Sequence, residues 1–94
     1  MDSFGFEELS RELKQLSDEQ LEDIDSVAEE RHQRGERRRS RVLEIYGQGG
    51  IRSAEDHYHA ALVMLYGEEV AHFELARTFA QRSSELGEPR AWST

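Results

Sequence analysis

The sequence predicts an all-α fold of about four helices, an antiparallel bundle that ends in a solenoid-type, tetratricopeptide-like helical hairpin. Three observations predict it. Apolar residues recur at spacings of three and four, which places them on one face of a helix. Helix start signals stand at Ser17 and Ser53, and the stop signals Gly67 and Gly87 follow. Pro89 is the single proline, so no proline interrupts the helical patterns before it.

Residues 1–46 form a charged N-terminal half in which we expect two helices. The first covers residues 3–16 with Ser3 as its cap, because its apolar residues recur at steps of three and four. The second is expected to begin at Ser17, since Ser17 and Gln20 have the spacing of a capping box. The apolar positions of the two helices are Phe6, Leu9, Leu13 and Leu16, and then Leu21, Ile24, Ala28, Val42, Ile45 and Tyr46.

The apolar stripe of the second helix has a gap between Ala28 and Val42. The stripe positions inside this gap are Arg31, Gly35 and Arg38, which are not typical core residues. A single glycine inside a helix costs about 1 kcal/mol. We therefore favour one long helix with a solvated middle over a break near Gly35.

The chain is expected to be a single helical domain over residues 1–94, because its length has room for one. Three glycines mark residues 47–52 as a Gly-rich linker. This linker separates the charged half from residues 53–94, which we interpret as a repeat-like helical hairpin and a tail.

Two helices are expected in this C-terminal half. The third begins at Ser53, which Asp56 follows at the spacing of a capping box, and ends at Gly67. The fourth begins at residue 68 or 69 and ends near Leu86, because Gly87 is a typical stop signal. The stripe expected along one face of this fourth helix consists of Val70, Phe73, Ala76, Phe79, Ala80 and Ser83.

The composition excludes several classes of protein and site. The 94 residues contain no cysteine, which excludes a disulfide framework and a thiolate zinc site. The N-terminus has no basic region before an apolar run, and no stretch approaches about 18 apolar residues. We therefore expect a cytoplasmic protein with no signal peptide and no membrane attachment. The formal net charge of −8 disfavours nucleic acid, because a negative chain repels phosphate groups.

A family pattern runs from Tyr58 to Ala91. Its members are Leu62, Tyr66, Gly67, Val70, Phe73, Ala76, Phe79, Gly87 and Ala91. With these residues the segment resembles one unit of the Sel-one-like branch of tetratricopeptide-type repeats. The chain also resembles small uncharacterised bacterial helical domains that carry an Asp-x-x-His-Ala-Ala helix, here formed by residues 56–61. The first resemblance implies a hairpin that stacks on a neighbour or binds a protein, and neither implies a catalytic residue.

The strongest candidate for chemistry is the pair Asp56 and His59, which are three residues apart and share a helix face. His72 on the facing helix could complete a cluster with them. Such a cluster would suit a small metal-dependent or acid/base enzyme. The alternative is a solvated helix start, where the helix dipole favours the acidic residues and His59 hydrogen-bonds across the hairpin. We expect no metal and no cofactor, because the chain lacks a recognisable metal-binding motif.

The segment Arg31–Arg41 is rich in arginine and could form a face for nucleic acid or for an acidic partner. The alternative is a solvated face whose arginines pair with nearby glutamates. An acidic block, residues 18–30, precedes the arginines on the expected long helix. Two such helices packed antiparallel would match acid to base, which suggests a homodimer. Pairing within one chain is the other interpretation.

The sequence as a whole favours a small acidic protein–protein interaction module, an adaptor, regulator or inhibitor, over an enzyme. A protein partner is expected, a homodimer is the alternative, and a nucleic-acid-associated regulator using the arginine face is less favoured. The residues expected to bind the partner are Asp56, His59 and Tyr66, together with Arg34, Arg38 and Arg41.

Overall fold

The computed structural model describes residues 2–23 and 27–92, with side chains described from residue 5 onward in those ranges. The described residues form four helices and no strand. The helices are α1 (Asp2–Glu22), α2 (Ala28–Gly47), α3 (Ala54–Leu65) and α4 (Val70–Glu85). The predicted all-α fold of four helices is therefore confirmed.

Helix α3 is the centre of the core. Its Ala60, Ala61, Val63 and Met64 are fully buried, and the other helices pack around them. Helix α4 runs antiparallel to α3, because Ser83 near the end of α4 donates a hydrogen bond to the carbonyl of Ala54 at the start of α3 (2.7 Å). The remaining core comes from Leu13 of α1, Val42 and Ile45 of α2, and Ala76, Phe79 and Ala80 of α4, with Trp92 packed against it. Full burial of each large side chain contributes about 1.5–3 kcal/mol.

The predicted start of α3 is confirmed by its hydrogen bonds. The Ser53 hydroxyl accepts from the backbone N–H of Asp56 (3.0 Å), and the Asp56 carboxylate accepts from the N–H of Ser53 and of Arg52 (both 3.1 Å). This reciprocal box satisfies N–H groups that the helix itself leaves unpaired. The predicted stop of α4 is confirmed as well, since Gly87 adopts a φ of +105°, which favours glycine.

The prediction that a second helix begins at Ser17 is wrong, because α1 continues through it to Glu22. Leu13, Ser17 and Gln20 share one face of α1, and all three are buried. Tertiary burial of that face outweighs a local cap, which contributes only about 1 kcal/mol. The predicted cap Ser3 lies inside α1, and the predicted core residue Ile24 lies outside the described residues.

The prediction of one long second helix with a solvated middle is also wrong, because α1 ends at Glu22 and α2 begins at Ala28. The expectation that Gly35 does not break its helix is confirmed, since Gly35 lies inside α2. Gly35 itself is buried, as are Arg38 and Arg39. A Cβ atom at Gly35 would lie 3.0 Å from Nη1 of Arg39, so the glycine leaves room for that guanidinium.

Helix α3 ends just before Gly67, as predicted, with Tyr66 as its C-cap. Gly67 does not adopt the positive φ of a typical stop glycine, and it has a second role in the turn. A Cβ atom at Gly67 would overlap the imidazole of His72. That imidazole accepts, at Nδ1, from the backbone N–H of Glu68 (3.2 Å) and of Glu69 (3.3 Å). Gly67 therefore allows His72 to cap the start of α4.

Within residues 2–23 and 27–92, none of the helices has both the length and the apolar character needed to cross a bilayer. The cytoplasmic location and the solenoid character of the α3–α4 hairpin stay predictions.

Candidate functional site

Four large apolar side chains are exposed around the turn between α3 and α4. Leu65 and Tyr66 end α3 with 39% and 40% exposure, and Val70 and Phe73 begin α4 with 70% and 47%. Val70 and Phe73 lie one helical turn apart and so point to the same side. Single exposed apolar residues are ordinary, whereas a large contiguous group of them is typical of interaction sites, so these four residues are the candidate for such a site. We call these four residues the turn patch.

The turn that carries the patch is fixed to helix α2. Nδ1 of His32 lies 2.8 Å from a carboxylate oxygen of Glu68, and Nη1 of Arg39 donates to the carbonyl of Tyr66 (3.3 Å). Arg39 is buried, so this second contact is shielded from solvent. These contacts join the turn that carries the patch to helix α2.

Carboxylates surround the turn patch. Glu68 and Glu69 lie in the turn, and Glu74 follows Val70 by one helical turn; all three are exposed. Glu36 of α2 joins them, because His32 contacts both Glu36 (3.8 Å) and Glu68. Arg77, one turn beyond Phe73, is the exposed cation beside this group. The surroundings of the patch are therefore predominantly negative, as is the whole chain.

A cleft lies between α1 and the start of α3. It has a volume of about 290 Å³ and is lined by Ser10, Arg11, Lys14, Ser53, Glu55, Asp56 and His59. His59 is buried, and its Nδ1 is the one buried side-chain nitrogen or oxygen in the described part of the chain without a hydrogen-bond partner. Burial lowers the pKa of His59, and the nearby Arg90 guanidinium lowers it further. Both effects favour the neutral form of the imidazole.

The structure does not bring Asp56, His59 and His72 together. His72 lies beside Gly67, which follows His59 by eight residues, or about 12 Å along a helix axis. The Asp56 carboxylate is occupied by the backbone N–H groups of Arg52 and Ser53. Across the described residues, no group of three or more His, Asp or Glu side chains could hold a metal ion.

The predicted binding residues Arg34 and Arg38 are engaged within the chain. Both bind Asp23: Arg34 donates from Nη2 (2.6 Å) and Nε (3.0 Å), and Arg38 donates from Nη2 (2.8 Å). Arg38 also donates from Nε to the side chain of Gln20 (3.0 Å). These bonds join α2 to the end of α1, which is the pairing within one chain that the sequence left open.

Arg41 makes a two-pronged ion pair with Glu12 of α1, with distances of 2.6 Å from Nε and 2.9 Å from Nη2. Its guanidinium lowers the pKa of the Glu12 carboxyl. Because the arginines lie on α2 and many of the acids lie on α1, the single dipolar helix expected of an antiparallel homodimer does not form.

Of the predicted partner-binding residues, Tyr66 lies in the turn patch, whereas Asp56 and His59 line the cleft beside α1. Sequence reasoning missed Val70 and Phe73, which it assigned to the buried stripe of the fourth helix. That stripe is complete without them, because Ala76, Phe79, Ala80 and Ser83 already cover the buried face. The acidic residues on both sides of Val70 and Phe73 were the available signal.

Comparison with protein-family models, with curated proteins and with solved structures found no match to this chain. The resemblance to tetratricopeptide-type repeats therefore stays a prediction from the sequence.

Proposed function

We propose that this protein is a small acidic protein–protein interaction module, acting as an adaptor, regulator or inhibitor, and that the turn patch is its contact surface. The proposal is carried by the group of four exposed apolar side chains within nine residues of sequence. Burying apolar area contributes about 25 cal/mol per Å², so water favours covering these side chains. Protein interfaces commonly combine an apolar centre with a polar rim, and the glutamates around the patch supply such a rim.

The partner in this proposal is a different protein, and a second copy of the chain is the alternative. Light scattering on the purified protein over a range of concentrations separates the two. A mass that rises toward twice the 10.9 kDa of the chain supports the second copy. A constant monomer mass supports a different protein.

The proposal is tested by affinity capture with matched variants. The tagged wild type, a Val70→Ser/Phe73→Ser variant and a Val27→Ser/Leu86→Ser control are each incubated with lysate of the source cells. The control removes two apolar side chains of comparable exposure (66% and 41%) that lie outside the turn patch. Retained proteins are quantified by mass spectrometry, and circular dichroism confirms that all three proteins are folded.

We expect at least one protein to be retained by the wild type and the control and to be lost with the patch variant. Equal retention by all three proteins would show that the turn patch is not the contact surface. Recovery of the bait alone would refute the proposal of a heterologous partner.

A further inference from the structure

We infer that the turn patch binds a basic amphipathic helix of its partner. This inference rests on the proposed function, and it adds the chemistry and secondary structure of the segment that is bound. The kind of surface that the chain offers and the charge around it each support this partner.

The described residues offer helix faces rather than sheet edges. Peptides that add a strand need an exposed edge with free N–H and C=O groups, and residues 2–23 and 27–92 contain no strand. Docking must therefore use side chains. Val70 and Phe73 stand one turn apart on α4, with Leu65 and Tyr66 across a short turn. An exposed apolar helix face such as that of Val70 and Phe73 is one that the apolar face of another helix, with anchors at spacings of three, four and seven, packs against.

The charge around the patch selects a basic partner. The contacts of Glu36, Glu68 and Glu69 in the structure are imidazoles, those of His32 and His72. No guanidinium or ammonium group with a permanent charge is within ion-pair distance of these three carboxylates in the described residues.

Other carboxylates of the chain are treated differently. Glu12 is bound by Arg41, and Glu88 is bound by Arg90 at 2.6 Å. The carboxylates beside the patch have no such arginine among the described residues, so they are available to a cation of a partner. Lysine or arginine on a partner helix would complement them, which speeds association and excludes acidic competitors.

The test is a selection from a phage library of helical peptides of about 20 residues, the length of a helix roughly 30 Å long. The library is selected on the wild type, and the affinities of enriched peptides are measured for the wild type and for Val70→Ser/Phe73→Ser. We expect enriched peptides with a net positive charge and one apolar face, bound at least about tenfold more weakly by the variant.

A second pair of variants isolates the charge. Glu74→Gln removes one exposed carboxylate beside the patch and keeps the His32–Glu68 contact that fixes the turn, so it should weaken binding of the enriched peptides roughly two- to fivefold and reduce its salt dependence. The control Glu8→Gln, on α1, removes the same charge away from the patch and should leave binding unchanged.

The outcomes separate this inference from the proposed function. Enriched peptides that need Val70 and Phe73 but are neutral or acidic overturn the basic helix and leave the turn patch as the contact surface. Peptides that bind the wild type and Val70→Ser/Phe73→Ser equally well overturn the contact surface too. The inference is also overturned if no helical peptide is enriched. It is overturned in favour of a second copy of the chain if the wild type self-associates and Val70→Ser/Phe73→Ser abolishes that self-association.

Discussion

The replacement Asp23→Ala tests whether ion pairs between α1 and α2 stabilise the fold. Asp23 and Arg38 have side chains that are only 8% and 5% exposed, and Asp23 accepts three hydrogen bonds from Arg34 and Arg38. In the variant the Arg38 guanidinium would stay buried without its carboxylate. Asp23→Ala should therefore lose much more stability than a variant that lacks an exposed carboxylate.

The expected loss follows from the burial of each pair. Removing one partner of a buried ion pair costs about 3–5 kcal/mol. Arg38 keeps its hydrogen bond to Gln20, which places the expected cost at the lower end of this range. Loss of the more exposed Arg34–Asp23 pair adds no more than about 1 kcal/mol. We therefore expect the free energy of unfolding to fall by about 3 kcal/mol. A domain of this length has a free energy of unfolding on the order of 5–14 kcal/mol, so the loss is a large fraction of it.

The assay is urea denaturation followed by circular dichroism and by the fluorescence of Trp92, the single tryptophan. The control Asp18→Ala breaks an exposed ion pair with Lys14 and should change the free energy of unfolding by no more than about 0.5 kcal/mol. Adding Arg38→Met to Asp23→Ala should recover part of the loss, because no buried charge then lacks a partner.

The reasoning would be refuted by a loss below about 1 kcal/mol for Asp23→Ala. It would also be refuted if Arg38→Met lowered stability further in that background. Either result would mean that water solvates Arg38 and that the pair does not stabilise the junction.

Three further predictions concern single positions. Gly67→Ala should lower the free energy of unfolding by about 1–3 kcal/mol in the same urea titration, because the new Cβ displaces His72. The control Gly47→Ala has open space around it and should be neutral or slightly stabilising. Ser53→Ala should cost about 1 kcal/mol in that assay through loss of the α3 cap, and no loss would contradict the capping role. The pKa of His59 is lowered in the folded protein, so as the pH falls the unfolded chain binds a proton at this residue first, near pH 6.5. The free energy of unfolding should therefore fall as the pH drops from about 7 to 5.5. The melting temperature of His59→Gln should fall less over that range than that of the wild type, and parallel slopes would exclude His59 as the cause.

Capping signals in the sequence predicted some helix boundaries and failed at others, for a physical reason. At Ser53 the local box agrees with the packing, so the predicted start is correct. At Ser17 the box competes with burial of the same side chain, and burial wins. Continuing α1 by two turns also brings Asp23 to Arg38. A second box pattern, Ser26 with Glu29, directly precedes the true start of α2 and could have indicated it.

The candidate site was predicted only in part. Tyr66 was expected to bind a partner and lies in the turn patch, but Val70 and Phe73 were assigned to the core. Periodicity shows that a helix has an apolar face, yet it does not show where along the helix the neighbouring elements end. The buried arginines were missed because a charged run usually indicates a solvated surface. Only the structure shows that α1 supplies carboxylates opposite Arg38 and Arg41.

Helix α2 connects two distant parts of the molecule. On one side its arginines bind carboxylates of α1, and on the other His32 and Arg39 contact the turn that carries the patch. Under the proposed function, any change that alters how firmly α2 is docked therefore also alters the free energy of the arrangement that the partner would bind. Such coupling would be reciprocal, so a partner bound at the turn would strengthen the docking of α2 by the same amount. Asp23, at the junction of α1 and α2, would then influence the affinity for that partner.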